Sequence, residues 1–297
     1  MNALYGIRRS DFYNLCLRIF EEVRFPVYFS NFSKKMYGNF THVFLLVYKE
    51  RLNVSYRRFV EIASENNLQR MLCIKRIPHF TTLQKFLKKI SKGVFEKMVR
   101  ACRKLLGLKD VVASIDGTGF SNTNPSHYYL KTIGDKTVKN YTKTVFIADN
   151  KSKLILNVRT HSDNRHETLD FIPLVRELKK ALRCILADKA YDSMKNRRFC
   201  LDNNIEVHIP FRQHSQSRQQ EFGIPSKRKL LEKRFNASKY RYRALIESVN
   251  SAIKRTLGSY VNSKLARQQQ KQVTVKALAY NLEIINRTIK LFIFISC

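Results

Sequence analysis

A chain of 297 residues with 56 Lys and Arg against 23 Asp and Glu carries a formal charge of +33. With 44% hydrophobic residues, only 9 Gly and 6 Pro, it holds enough apolar surface to fold, which excludes intrinsic disorder and fibrous repeats. Such an excess of charge repels itself in a compact body unless a polyanion neutralises it, so nucleic acid is the leading partner and a ribosomal or membrane-surface role the plainer alternative.

In chain order, the first stretch carries Arg8, Arg9 and Asp11 inside an amphipathic pattern, which argues against a secretory leader and for the cytoplasm. Residues 1–107 read as an all-α N-terminal domain. Apolar positions recur at three and four in Phe12-Leu15-Ile19, Phe59-Ile62-Ala63 and Leu83-Phe86-Leu87-Ile90. Pro78 with Thr81 and Thr82 as caps opens a helix bearing Lys85, Lys88, Lys89 and Lys92. It is either a DNA-reading helix or a capped surface helix with solvated lysines. The texture changes at Lys109. Apolar runs at 111–115, 144–148, 154–158, 184–187 and 205–209 read as strands, the second and third joined by an Asp149-Asn150-Lys151-Ser152 hairpin turn. Helical patterns at 169–178 and from about Ser193 complete the order βββαβαβ, an α/β core with a mixed sheet flanked by helices. Residues 211–271 then hold fifteen Lys and Arg against Glu221, Glu232 and Glu247, first as an exposed loop and then as helices near 239–257 and 274–291. Six scattered cysteines form no C-x-x-C pair, so neither a zinc site nor a disulfide framework is expected. The apolar runs at 43–48 and 291–296 are far shorter than the roughly 18 residues of a membrane span.

Reactive side chains of open α/β sheets collect at the carboxyl ends of strands. Asp116 is expected to end the first strand and Asp188 the fourth; taken singly, each suits a turn cap. The third element is a helix on which Tyr240, Arg243, Glu247 and Lys254 fall within an arc of roughly 60°, with Leu245, Val249 and Ala252 opposite as the core face. As a surface pair Arg243 and Glu247 would contribute only about 0.2–0.5 kcal/mol. Three carboxylates and a polyanionic substrate suit two-metal phosphoryl transfer with Mg²⁺. The remaining acids have structural readings: Asp192 as a helix N-cap, and Asp163, Glu167 and Asp170 at a helix start. His161 reads as a hydrogen-bonded structural histidine, and no P-loop sequence is present.

Asp116 in Ser-Ile-Asp-Gly-Thr, Asp188 in Ala-Asp-Lys-Ala-Tyr-Asp and the spacing Tyr240-(2)-Arg243-(3)-Glu247-(6)-Lys254 resemble the DDE transposases of bacterial and archaeal insertion sequences over roughly residues 108–290. The resemblance implies a ribonuclease H-like catalytic domain at 108–297. Asp116, Asp188 and Glu247 would hold two Mg²⁺ or Mn²⁺ ions, Arg243 and Lys254 would contact phosphates near the element end, and Tyr240 would pack on DNA. It also implies a homodimer in a synaptic complex on double-stranded DNA, in a prokaryotic, nucleoid-associated setting with no membrane. From charge and position, the N-terminal helices are expected to bind the terminal repeat. The basic stretch 211–272, with Lys227, Arg228, Lys229, Lys233 and Arg234, is expected to track the DNA backbone or to be a solvated face. Ala190 stands where many relatives have Gly, and the 58 residues between Asp188 and Glu247 leave no room for the long β insertion of some relatives. The expected function is a transposase that cleaves at insertion-sequence ends and transfers strands. The rivals are a metal-dependent nuclease that does not join and a DNA-binding relative without catalysis.

Overall fold

The structure, a computed structural model, describes residues 8–122, 141–163, 165–212 and 234–295. The first of these segments opens with helices: α1 (Arg9–Val23), α2 (Asn39–Leu52), α3 (Tyr56–Glu65), the single turn α4 (Leu68–Met71), α5 (Phe80–Lys89) and α6 (Lys92–Leu105). Ser55 and Ser91 cap α3 and α6 by accepting from the amides of Arg58 and Gly93, satisfying donors that a helix start leaves unpaired. The expected threonine caps of α5 are not used. His79 holds the cap position, and Thr81 lies inside the helix with its hydroxyl 2.8 Å from the His79 ring.

The sheet comprises β1 (Val111–Ser121), β2 (Tyr141–Asp149), β3 (Ile155–His161), β4 (Leu182–Ala187) and β5 (Glu206–His208), in the spatial order β3-β2-β1-β4-β5. β1, β2 and β3 pair antiparallel; β1, β4 and β5 pair parallel. This is the mixed sheet flanked by helices that the strand order βββαβαβ anticipates. α7 (Thr168–Arg176) links β3 to β4, and α8 (Met194–Asp202) links β4 to β5. Ser193, not Asp192, caps α8. The Asp192 carboxylate is drawn inward instead, accepting from Arg197 at 2.9 Å and from the Arg212 amide at 2.8 Å, because a buried guanidinium needs a buried anion. Asp149 accepts from the amide and hydroxyl of Ser152 and so shapes the β2–β3 turn.

After β5 come the short helix α9 (Ala237–Tyr240), a 3₁₀ turn at Arg241–Ala244, α10 (Leu245–Leu257) and the long α11 (Ala266–Ile295). Gly258 ends α10 at φ +84°, and a Cβ there would meet the Asn53 amide at 2.8 Å, so only glycine fits both the backbone and the space. α11 is buried on almost every side from Val273 to Leu282 and packs on α2, α6 and β3. One hydrophobic core therefore runs from Phe12 to Ile285 through helices and sheet alike. Asn281 of α11 both accepts from and donates to the Ile155 backbone, which satisfies the first residue of the edge strand β3.

Candidate active site

β1 does not stop at Asp116. Its parallel pairing with β4 ends at Ile115↔Ala187, while its antiparallel pairing with β2 continues to Ser121. Asp116 and Asp188 are thus the first residues beyond the last parallel pair, side by side on adjacent strands where the two begin to part. The β1 edge freed by that parting is taken up again by the segment after α10: Ser121 donates to Ser259 at 3.0 Å and accepts from Val261 at 2.9 Å. α10 consequently lies along β1, across the gap in which the two aspartates stand. Asn250 of α10 donates to Asp116 at 3.0 Å, and Lys254, one turn further, lies over the Phe120 ring.

The helical signature does not occupy one continuous α-helix, since Arg241–Ala244 forms the 3₁₀ turn. Its buried stripe is Ile246, Val249, Asn250, Ile253 and Leu257, not Leu245, Val249 and Ala252. At about 100° per residue the arc of Arg243, Glu247 and Lys254 therefore borders the core stripe and does not oppose it. That rotation matters chemically, because side chains opposite the core would face solvent, whereas these overhang the sheet beside Asp116. Glu247 remains 57% exposed and pairs with Arg243 at 2.6 Å. Asp188 is partly buried, and its Oδ1 accepts from the Lys189 amide at 2.5 Å, so the capping role expected of a single aspartate is realised. The Tyr240 ring packs at a tilt against Phe235, with ring centroids 5.5 Å apart, and burial, with Asp188 adding to it and Arg243 opposing, pushes its hydroxyl above the ordinary tyrosine value. Arg234 is exposed; Lys227, Arg228, Lys229 and Lys233 lie outside the described residues.

Two residues that the sequence reading did not assign to the site lie beside Asp116. Glu167 opens α7, and its carboxylate sits directly over Gly117: a Cβ on Gly117 would come within 2.2 Å of it. The Tyr191 hydroxyl donates to Glu167 at 3.1 Å, and Lys143 stands 3.2 Å away. The clue in the sequence was the glycine next to Asp116, a residue type that lets another group approach the backbone. Asn250 is the second, its Oδ1 buried without a hydrogen-bond partner among the described residues. His161 does take the structural role expected of it, 2.9 Å from the buried Asp170.

Burial pushes Asp116 up to about 6, with Glu167 and Glu247 adding to the rise and Arg243 and the Gly117 amide opposing it. A carboxyl raised above its unfolded value contributes its stability below the unfolded pKa and loses it as pH rises through the folded one. Asp116→Asn is therefore expected to stabilise the ion-free protein at pH 7.5 by on the order of 2 kcal/mol and to be neutral at pH 3.5. Urea denaturation at the two pH values checks this; an equal effect at both would remove the electrostatic account.

The donor chemistry fits a hard divalent cation. The acids are oxygen ligands, their mutual repulsion is relieved by positive charge, and the unpartnered Asn250 oxygen beside Asp116 can accept from a water of the ion's shell. The oxygens of Asp116, Asp188 and Glu247 are not all within 4.8 Å of one another. Among the described residues only Cys184, Glu206 and His208 meet that criterion. That group is a brace between β4 and β5. The Asn236 amide donates to His208 Nδ1, which leaves the proton on Nε2 for Glu206, and Lys239 holds both Glu206 oxygens. Burial pushes the Cys184 thiol up to about 12, so it stays neutral and a poor ligand.

Residues 107–282 match the family described as "Transposase DDE domain". Among solved structures, the chain is similar to piggyBac transposase in a synaptic complex with hairpin DNA, at a TM-score of 0.53 and 10% identity over 93% of this chain and 75% of that one. It also aligns with Mos1 transposase in a paired-end complex with the left transposon end, at a TM-score of 0.25 and 13% identity over 78% and 82%. The piggyBac likeness bears on the fold alone. No curated protein matches by sequence. Among the described residues no helix is long and apolar enough to cross a membrane.

Proposed function

Because the chain belongs to the transposase DDE-domain family, we propose that it cleaves DNA at the ends of an insertion sequence and joins the freed 3′-hydroxyl to target DNA. The observation that supports this reading is the parting of β1 and β4 at Asp116 and Asp188 beneath α10, whose Asn250 bonds Asp116 and whose Glu247 carboxylate acts on the Asp116 charge. Asp116, Asp188 and Glu247 would hold two Mg²⁺ or Mn²⁺ ions. Such ions, when bound, neutralise phosphoryl oxygens and activate the attacking oxygen. The chain itself positions the substrate. Arg243, now bound to Glu247, is placed to exchange that carboxylate for a phosphate, freeing Glu247 as a ligand. Lys254 offers a second cation beside Asp116.

In the first step water attacks phosphorus and the bond to the 3′ oxygen breaks, leaving a 3′-hydroxyl. In the second, that hydroxyl attacks a target phosphorus and displaces the target's own 3′ oxygen. Both displacements need the same arrangement of acids. Residues 1–107 would bind the terminal repeat and residues 108–297 carry the chemistry, with Arg234 and the basic residues Lys227, Arg228, Lys229 and Lys233 along the DNA backbone. The working assembly would be a homodimer holding two ends, in a prokaryotic cytoplasm.

The test is incubation of the chain with a precut duplex from the DNA flanking its gene, a supercoiled plasmid and Mg²⁺. Joined products are expected. Cleavage without joining would identify a nuclease, and binding with neither would identify a DNA-binding relative.

A further inference from the structure

The link between α1 and α2, residues 24–38, presents apolar side chains to solvent. Phe32 is 99% exposed, with Val27 and Met36 also exposed on the same link. The link is braced. The Asn39 amide donates to Val27 and its side chain to Pro26, while Ser30 and Ser33 bond each other through backbone and hydroxyl at 3.1 Å. Phe25 and Phe29 tuck inward against Phe20 and Phe86, and Lys89 of α5 lies 4.4 Å from the Phe29 centroid. Phe32 is therefore held outward from a packed base.

The surroundings specify the occupant. Between Val23 and Lys49 there is no Asp or Glu, and between Asn66 and Phe95 there is none either, although the second stretch holds seven Lys and Arg. The two acid-free stretches meet where Phe29 and His42 pack on Phe86. Lys34 and Lys35 flank the tip, and Lys85, Lys88 and Lys89 are exposed on the adjoining helix. An exposed aromatic ring on a link that carries two lysines, beside a helix that exposes three more, both within stretches of sequence that hold no acid, suits a polyanion that offers apolar faces between its charges, which duplex DNA does at its base steps.

We propose that this link is a DNA wedge: Lys34, Lys35 and the α5 lysines grip phosphates while Phe32 inserts between stacked base pairs and unwinds the duplex locally. The proposal rests on the DNA-acting reading above and adds to it a contact outside the acidic site. Its function would be to distort the element end or target that the acids then attack.

The test uses the full chain and a closed circular plasmid relaxed by topoisomerase I with the protein bound. Linking number is read after deproteinisation and binding is read separately by gel shift. The wild-type chain is expected to lower the linking number. Phe32→Ala should abolish that change with affinity falling about fivefold or more, and Phe32→Tyr should keep it. Thermal stability should be the same in all three, since the ring packs on nothing. Lys34→Ala with Lys35→Ala should reduce the slope of log K against log salt by about 1.8. Plasmid binding without a change in linking number, or an equal change with Phe32→Ala, overturns the wedge and leaves the DNA reading standing. No plasmid binding by the wild-type chain overturns both. Phe32-dependent binding to phosphatidylserine vesicles, with plasmid binding indifferent to Phe32, would assign the link to a membrane surface and overturn the wedge as well.

Discussion

Glu247→Gln is expected to lower strand cleavage and joining by on the order of 10³ while leaving DNA affinity within about twofold. The substitution keeps the shape of the side chain and its ability to accept from Arg243, but removes the negative charge that a divalent ion requires. It should leave the fold intact for a measurable reason. Glu247 is 57% exposed, and an exposed i,i+4 pair with Arg243 contributes only about 0.3–0.5 kcal/mol. Lost activity with unchanged denaturation and unchanged DNA binding would therefore isolate the carboxylate's role. Full cleavage by Glu247→Gln would remove the acid from the mechanism altogether. Arg243→Ala serves as the contrast: it leaves Glu247 charged but unpaired, so its main effect should fall on DNA affinity and its salt dependence.

The sheet was legible because its strands are short β-branched runs closed by turn residues, and the order of strands and helices restricts a mixed sheet to few topologies. The positions of Asp116 and Asp188 followed from those runs. What the runs did not show is that β1 continues past Asp116. That depends on which neighbour pairs with each edge, and Ser121 finds its second partner in Ser259–Val261, some 140 residues away. The same limitation hid Glu167 and Asn250. A helix-start acid and a helical asparagine look ordinary until the fold brings one over Gly117 and the other onto Asp116. The core stripe of α10 was misplaced within the helix itself: Leu245 and Ala252 are apolar and near the stripe, but the run that keeps the three- and four-residue spacing to the end of the helix is Ile246, Val249, Ile253 and Leu257.

α11 shows a different obstacle. Gln272, Lys276 and Glu283 interrupt its apolar pattern as surface residues would, yet all are buried. Their partners lie on α2, at the end of α10 and in the link between α10 and α11. Glu50 accepts from Lys49 at 2.7 Å and from Gln272 at 3.3 Å, Lys276 stands 3.5 Å from it, and Lys276 also donates to the Leu257 carbonyl. Gln272 accepts from the Asn262 and Ser263 amides, and Glu283 pairs with Arg51 at 2.7 Å. This network ties the helix that carries Glu247 to the N-terminal helices, so the framework of the acidic site is set partly by residues far from it.

Glu50→Ala should consequently destabilise the protein by about 3–5 kcal/mol, because it leaves Lys49 and Lys276 buried without their shared anion. Burial alone would raise the Glu50 pKa, but Lys49 and Lys276 outweigh it and hold the carboxyl below its ordinary value. The sign of the pH effect follows. A depressed carboxyl contributes stability above its unfolded pKa and loses it as pH falls through the folded one, so the wild-type chain should lose this contribution only in acid. Urea denaturation at pH 7 and at progressively lower pH measures both effects: the gap between wild type and Glu50→Ala should be widest at neutral pH and narrow in acid. If Glu50→Ala does not fold, Glu50→Gln with Lys276→Met supplies the comparison, since it removes an anion and a cation together and should recover much of the loss. A Glu50→Ala protein as stable as wild type at pH 7 would show that the two lysines reach water unaided, and that the link between α2, α10 and α11 rests on apolar packing alone.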